Sequence, residues 1–151
     1  MGKKTLIFWL TLATAITASG TVTPNDPKSV VDRFLTAYRA TDVEEMMKLL
    51  SPNIVFDDPT TRLHAEGHDG LRKMVEPLRA SYRNVTIDIH NMLVHGDHVA
   101  VEVTIAGLVT RKDGSTRNIK VRGASFFRVK NGLIETWTDY YDAQTFREQL
   151  A

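Results

Sequence analysis

The side chains best suited to chemistry in this chain are Trp137, Asp139 and Tyr141, which alternate near the C-terminus. Alternate residues of a strand face the same side of a sheet, so a strand here would bring these three side chains together. Aromatic neighbours keep water away from a carboxylate, and this loss of water raises its pKa toward neutrality. Asp139 could then give a proton to, or take one from, an epoxide, enol or carbonyl oxygen. The alternative is a structural carboxylate at a strand end, bonded to the local backbone or to a side chain.

The helices that must hold such a strand in place are indicated by caps and by apolar spacing. The Asp-Pro pair at 26–27 is typical of a helix start, and apolar residues follow it at helical spacing. A second short helix is predicted over 42–50, ended by Ser-Pro at 51–52. Pro77 lies inside the pattern of a third helix and should kink or shorten it. A last short helix is predicted over 143–150.

The strands are indicated by apolar residues at every second position. Residues 54–56 read as a short strand, which a polar loop separates from the third helix. From Asn84 onward the apolar residues alternate between turn signals, which predicts a four-strand antiparallel meander. Helices that come first and strands that come last indicate the α+β class.

Composition places limits on the function. The chain has 151 residues, of which 42% are hydrophobic and 25% charged, as expected of one ordinary globular domain. The formal net charge of +1 gives no basic excess of the kind that nucleic-acid binders carry. Cysteine is absent, which excludes disulfides, zinc–thiolate sites, iron–sulfur clusters and cysteine nucleophiles.

The N-terminus has the order of residues of a secretory signal peptide. Lys3 and Lys4 precede an apolar run over 6–16, and small residues follow up to Gly20. We therefore expect residues 1–20 to be a signal peptide or an N-terminal anchor, and the protein to be secreted or periplasmic. The alternative is a buried N-terminal helix. Residues 21–26 are then a linker, the domain spans 27–151, and no other membrane contact is expected.

The order of elements and three local motifs resemble the nuclear-transport-factor-2-like superfamily. The motifs are Phe-Asp-Asp-Pro at 56–59, Glu-Gly-His-Asp-Gly-Leu at 66–71 and, most specific, Asn-Gly-Leu-Ile-Glu-Thr-Trp-Thr-Asp-Tyr-Tyr-Asp at 131–142. They are similar to the SnoaL-like polyketide-cyclase and limonene-epoxide-hydrolase-like branch. The resemblance implies a cone-shaped α+β fold, in which N-terminal helices and a curved, mostly antiparallel sheet enclose a deep, largely apolar pocket.

The resemblance also implies roles for individual residues. Asp139 matches one aspartate of the carboxylate pair of the epoxide hydrolases, although the neighbouring strand reads Glu-Val-Thr-Ile at 102–105 instead of that family's Arg-x-Asp. Asp58 matches the general base of the ketosteroid isomerases, and the alternative is an aspartate before proline that caps a turn. Phe34 and Ser125 occupy the positions of the oxyanion donors of those isomerases. The expected substrate-binding residues are Phe34, Phe56, Ser125, Phe127, Trp137 and Tyr141.

Histidines give one further catalytic candidate and no metal site. His64 lies in the polar loop expected over the pocket mouth and could act as a general base, or be an exposed loop residue. The spacing of the five histidines does not fit a metal site, and no phosphate-binding loop is present. No metal and no other cofactor is therefore expected.

These observations predict an exported protein that binds a small apolar molecule. It would be an isomerase, cyclase or hydrolase whose pocket aspartate transfers protons without a cofactor. The alternative is a non-catalytic ligand-binding or self-associating module of the same fold. Members of the superfamily commonly pair through the outer face of the sheet, which here carries Ala124, Phe126 and Tyr140, so a homodimer is expected.

Overall fold

The computed structural model describes residues 23–151, which form an α+β arrangement of four helices and six strands. In chain order the elements are α1 (Pro27–Arg39), α2 (Val43–Leu49), β1 (Leu50–Asp58), β2 (Leu63–Glu66), α3 (Gly67–Ser81), β3 (Tyr82–His95), β4 (His98–Thr110), β5 (Thr116–Lys130), β6 (Leu133–Tyr141) and α4 (Ala143–Leu150).

The predicted starts of α1 and α2 are confirmed, because an aspartate side chain caps each of these helices. Asp26 accepts a hydrogen bond from the Ser29 backbone N–H at 3.1 Å, and Pro27 occupies the first turn of α1. Asp42 caps α2 through a bond of 3.1 Å from the Glu45 backbone N–H. These bonds satisfy backbone donors that the first turn of a helix leaves without partners.

The six strands form one curled sheet in the order β2-β1-β6-β5-β4-β3, and its inner face packs on the helices. All neighbouring strands run antiparallel except β1 and β6, which are parallel. The predicted meander is thus confirmed as β3 to β6. Phe56 of β1 lies opposite Trp137 of β6. Two residues further along, Asp58 of β1 and Asp139 of β6 face the same side of the sheet. The pairing therefore brings the two carboxylates close together.

The first half of the sheet differs from the prediction in two ways. β1 begins at Leu50 rather than at residue 54, and its pairing with β6 is irregular between Leu50 and Val55. Pro52 lies in this irregular segment, where a missing backbone N–H breaks no regular ladder bond. The predicted loop after β1 contains a further strand, β2, which pairs antiparallel with β1.

Pro77 does not shorten α3, so that part of the expectation was wrong. The helix continues to Ser81 with the proline inside it. Pro77 and Lys73, whose carbonyl loses its helical partner, are both exposed. Water can therefore satisfy that carbonyl.

The predicted signal peptide at 1–20 lies outside the described residues and stays a prediction. Of the predicted linker, residues 23–26 lead into α1 through a turn that is closed by a hydrogen bond from the Asp26 N–H to the Thr23 carbonyl. None of the helices within residues 23–151 is long and apolar enough to cross a membrane.

Candidate functional site

A cavity of about 250 Å³ lies between the inner face of the sheet and helices α1, α3 and α4. Its wall is largely apolar, and its polar groups are two carboxylates, hydroxyls and phenols. The lining residues are Tyr38, Phe56, Asp58, Thr61, Leu63, Met74, Leu78, Tyr82, Val103, Ile105, Ile119, Val121, Gly123, Ala124, Ser125, Trp137, Asp139, Tyr140, Tyr141 and Phe146.

Asp139 is the central polar group of this cavity. Its Oδ1 accepts two hydrogen bonds of 2.6 Å, one from the Ser125 hydroxyl and one from the indole N–H of Trp137. Its Oδ2 accepts no hydrogen bond from residues 23–151 and is free to meet a ligand. Burial raises the pKa of Asp139 to about 6, although the two hydrogen bonds act in the opposite direction. The charge of Asp58 adds a smaller upward contribution.

Asp58 lies in the same wall and is only 4% exposed, but its oxygens are already used. Oδ1 accepts a hydrogen bond of 3.1 Å from the Thr61 N–H, and Oδ2 accepts one of 2.6 Å from the Thr61 hydroxyl. This is the capped turn that the alternative interpretation described. Tyr141 lies beside this pair, where burial and the charge of Asp58 raise its pKa to about 12, so its phenol stays protonated as a donor.

Two phenols that the sequence analysis missed also face the cavity. Tyr38 of α1 packs edge-on against Trp137, with ring centroids 6.0 Å apart. Burial, followed by the charge of Asp139, raises its pKa far above the usual range for a phenol. Tyr82, at the start of β3, also has a raised pKa because it is buried. A signal for Tyr38 existed, since it lies one helical turn after Phe34 on the same apolar face.

Phe34 and Phe127 were predicted to bind substrate, and the structure places both behind the cavity wall. Their rings are almost fully buried, and neither lines the cavity. The centroid of Phe34 lies 5.0 Å from that of Trp137 and 5.7 Å from that of Phe127. The two rings therefore support Trp137 from behind, because the helix and sheet approach closely at this depth. Phe34 cannot donate a hydrogen bond and reaches no ligand space.

His64 was predicted in a loop over the pocket mouth, and this placement is wrong. It lies on β2 with an exposed side chain and does not line the cavity, whereas its neighbour Leu63 does. Its Nδ1 is 2.7 Å from an oxygen of Asp57, and its Nε2 is 3.1 Å from one of Glu66. These two carboxylates raise the pKa of His64. The pairing of β2 with β1 points alternate residues outward, and His64 is one of them.

Gly123 shapes the wall next to Asp139. A Cβ at this position would lie 2.5 Å from the Tyr140 carbonyl oxygen and 2.9 Å from the Tyr141 Cβ. Strands β5 and β6 can approach each other here only because residue 123 has no side chain.

The arrangement is suited to proton transfer on a bound apolar molecule. Asp139 can exchange a proton through Oδ2, and the buried phenols can donate hydrogen bonds to an oxygen of the ligand. Among the described residues no arginine lines the cavity, so the carboxylate–arginine–carboxylate arrangement of the epoxide hydrolases is not formed. No group of three or more metal-binding side chains occurs within residues 23–151.

Comparison with protein families gives one match. The sequence model of the SnoaL-like domain family matches residues 31–137, which is most of the described chain. No curated protein sequence is significantly similar to the chain.

Comparison with solved structures confirms the predicted nuclear-transport-factor-2-like fold. A SnoaL-like protein of Shewanella denitrificans, assigned as a polyketide cyclase, is 16% identical with a TM-score of 0.77, covering 82% of this chain and 96% of its own. A limonene-epoxide-hydrolase-like enzyme of M. tuberculosis is 20% identical with a TM-score of 0.69, covering 82% and 89%. A protein of ketosteroid-isomerase-like fold from Catenulispora acidiphila, solved with trimethylamine, is 21% identical with a TM-score of 0.70, covering 80% and 90%.

Proposed function

The chain belongs to the SnoaL-like family, and from this premise we propose that it binds a small, largely apolar molecule in the cavity and moves a proton on it with Asp139. The reaction class is isomerisation, cyclisation or water addition. Cyclase and epoxide-hydrolase neighbours of the same fold support this class.

The observation that carries the proposal is the environment of Asp139. Its pKa of about 6 leaves the carboxylate largely ionised at pH 7, yet makes it a much stronger base than an ordinary aspartate. Ser125 and Trp137 fix one oxygen, so the other keeps a constant direction toward the ligand. A base with this pKa can take a proton next to a carbonyl group and return it to another atom of the same molecule.

A direct test follows the exchange of carbon-bound hydrogen in heavy water. The ketone 2-tetralone is bicyclic and apolar, and NMR reports the replacement of its α-hydrogens by deuterium. Styrene oxide, followed by diol formation, tests water addition. We expect the protein to accelerate one of these reactions, and Asp139→Asn to lower the rate by about a hundredfold or more.

Asp88→Asn is the matched control, because Asp88 is an exposed aspartate on β3 that lies outside the cavity. It should leave the rate unchanged. Equal rates in the wild type and in the Asp139→Asn variant would contradict a catalytic role for Asp139. Loss of rate in both variants would point to an effect of net charge rather than of the site.

The second part of the proposal is self-association through an outer patch formed by Leu93, Phe126 and Tyr140. Phe126 and Tyr140 are 48% and 49% exposed, and their rings meet edge-on at 5.9 Å. The ion pair of Arg122 with Glu102 borders the patch. Because the face carries an apolar centre and both signs of charge, a second copy related by a twofold axis would complement it.

Light scattering at tens of micromolar protein tests this part, because a dimer of moderate affinity persists at concentrations of about that order. Phe126→Ser should shift the mass from dimer to monomer. Val94→Ser is the control, since Val94 is 46% exposed but faces the other side of β3 from Leu93. A monomeric wild type would contradict the dimer and leave the cavity proposal intact.

The third part is export. The basic, apolar and small-residue order of residues 1–20 supports cleavage that leaves a mature chain beginning between Ile16 and Thr21. Intact-mass analysis of protein from the native host tests it, and a soluble product that retains Met1 would contradict it.

A further inference from the structure

A groove that carries three arginines lies where α1 and α3 end, near the beginning of β3. Arg39, Arg79 and Arg83 line this arginine groove, which has a volume of about 740 Å³. Glu76 is the only carboxylate among the described residues that line it. The groove therefore carries a net positive charge, whereas the cavity holds two aspartates.

A small apolar pocket adjoins both the groove and the cavity. It measures about 70 Å³ and is bounded by α1, α2, α3 and β3. Tyr38, Leu78 and Tyr82 line both this pocket and the cavity, and Arg79 lines both this pocket and the groove. The three spaces are therefore neighbours, and the side chains of Tyr38, Leu78 and Tyr82 form the wall between the pocket and the cavity.

The three arginines are not equally free. Arg39 donates a hydrogen bond of 2.9 Å to the Ile87 carbonyl. Arg83 donates to the carbonyls of Arg79 and Ala80 at the end of α3, at 3.2 and 3.0 Å, and to that of Tyr82 at 2.9 Å. Arg79 donates no hydrogen bond to any residue within 23–151. The nearby carboxylate of Glu44 is held by both terminal nitrogens of Arg72, at 2.6 and 2.9 Å. The guanidinium of Arg79 is thus the cation best placed to accept a ligand.

We propose that the ligand of the cavity is an apolar molecule with an anionic group, a carboxylate or a sulfonate, and that this group lies on Arg79 in the arginine groove. The apolar body would extend past Tyr38 and Tyr82 toward Asp139. This inference rests on the proposed function and names the chemical class of its substrate.

Charge fixes the orientation of such a ligand. An anionic group at the inner end would lie beside Asp58 and Asp139, where like charges repel it in a medium of low polarity. At the outer end a guanidinium can donate two parallel hydrogen bonds to a carboxylate or sulfonate. The reactive part of the molecule would therefore point inward to Asp139, and the anionic part outward to Arg79.

Two fluorescent probes that differ in a single group test the inference on the full chain. The probe 1-anilinonaphthalene-8-sulfonate carries a sulfonate, and N-phenyl-1-naphthylamine has the same rings without it. We expect the wild type to bind the sulfonate probe more tightly. Arg79→Gln should weaken the sulfonate probe by about tenfold, as for loss of one charged hydrogen-bonding partner, and leave the neutral probe unchanged.

Matched variants separate the possible outcomes. Lys73→Gln removes the same charge from an exposed position of α3 outside the groove and should change neither affinity. Ser125→Phe fills the cavity and should weaken both probes. If Arg79→Gln leaves the sulfonate probe unaffected while Ser125→Phe displaces the neutral one, the inference is wrong and the cavity proposal stands. If neither probe binds, or if Ser125→Phe displaces neither probe, the inference about Arg79 and the cavity proposal are both wrong.

Discussion

Replacement of Asp139 by asparagine should stabilise the protein at neutral pH and have no such effect in acid. A carboxyl whose pKa rises from 3.8 to about 6 on folding costs the folded state about 3 kcal/mol at neutral pH. Asparagine removes this cost, and its amide oxygen can still accept the bonds from Ser125 and Trp137. The expected gain at pH 7 is therefore about 2 to 3 kcal/mol, or on the order of 10 °C in Tm.

The sign of the pH dependence follows from the direction of the pKa change. The folded state holds the proton of Asp139 more tightly than the unfolded state does. The stabilisation that this proton provides is therefore complete below about pH 4 and is lost as the pH rises through about 6. Wild type and Asp139→Asn should thus be equally stable near pH 4 and should diverge up to about pH 7. Urea unfolding at a series of pH values measures this difference directly.

Asp88→Asn is again the control, since the exposed Asp88 forms no hydrogen bond through its side chain with residues 23–151. Its stability should follow that of the wild type at every pH. A difference between wild type and Asp139→Asn that stays constant from pH 4 to 7 would show that Asp139 does not titrate as described. An asparagine variant that is less stable at pH 7 would show that the carboxylate stabilises the fold, and the catalytic interpretation would fall with it.

Three further changes have defined outcomes. Trp137→Phe removes a hydrogen bond to Asp139, so the pKa of that carboxyl should rise above about 6, as NMR titration would reveal; an unchanged pKa would contradict the contact. Gly123→Ala places a Cβ 2.5 Å from the Tyr140 carbonyl oxygen, so the free energy of unfolding should fall by about 1 to 3 kcal/mol, and a neutral substitution would refute the close approach. Asp42→Ala removes the cap of α2. The free energy of unfolding should therefore fall by about 1 kcal/mol, as measured by urea unfolding against the wild type.

Local signals were enough to predict much of this fold. The cap at Asp26 and the proline after it depend only on neighbouring residues, and α1 begins there. The alternation of Trp137, Asp139 and Tyr141 correctly predicted that they share a face, because side-chain direction in a strand has a period of two. The pairing of β5 with β6 then placed Ser125 opposite Asp139.

The errors arise where long-range pairing decides the outcome. The four residues of β2 include one leucine and no β-branched side chain, so only their pairing with β1 makes them a strand. That pairing turned His64 outward. Phe34 and Tyr38 lie on the same face of α1, and helical spacing cannot tell which of them lies at the level of the cavity.

The Asp58→Asn variant tests whether Asp58 is itself the base or acts only through its charge on Asp139. Because the charge of Asp58 contributes to the raised pKa of Asp139, the neutral side chain should lower that pKa from about 6, though burial keeps it above the ordinary value. The oxygen and amide group of asparagine can still bond the N–H and the hydroxyl of Thr61, so the turn should hold. NMR titration of Asp139 measures its pKa, and the rate at which deuterium replaces the α-hydrogens of 2-tetralone measures the activity. If Asp58 acts only through its charge, the exchange rate at a pH where Asp139 is fully ionised should change by less than about tenfold. The Asp139→Asn substitution should lower the same rate by about a hundredfold or more. A loss as large as that of Asp139→Asn, in a folded Asp58→Asn variant, would make Asp58 the base and overturn the assignment.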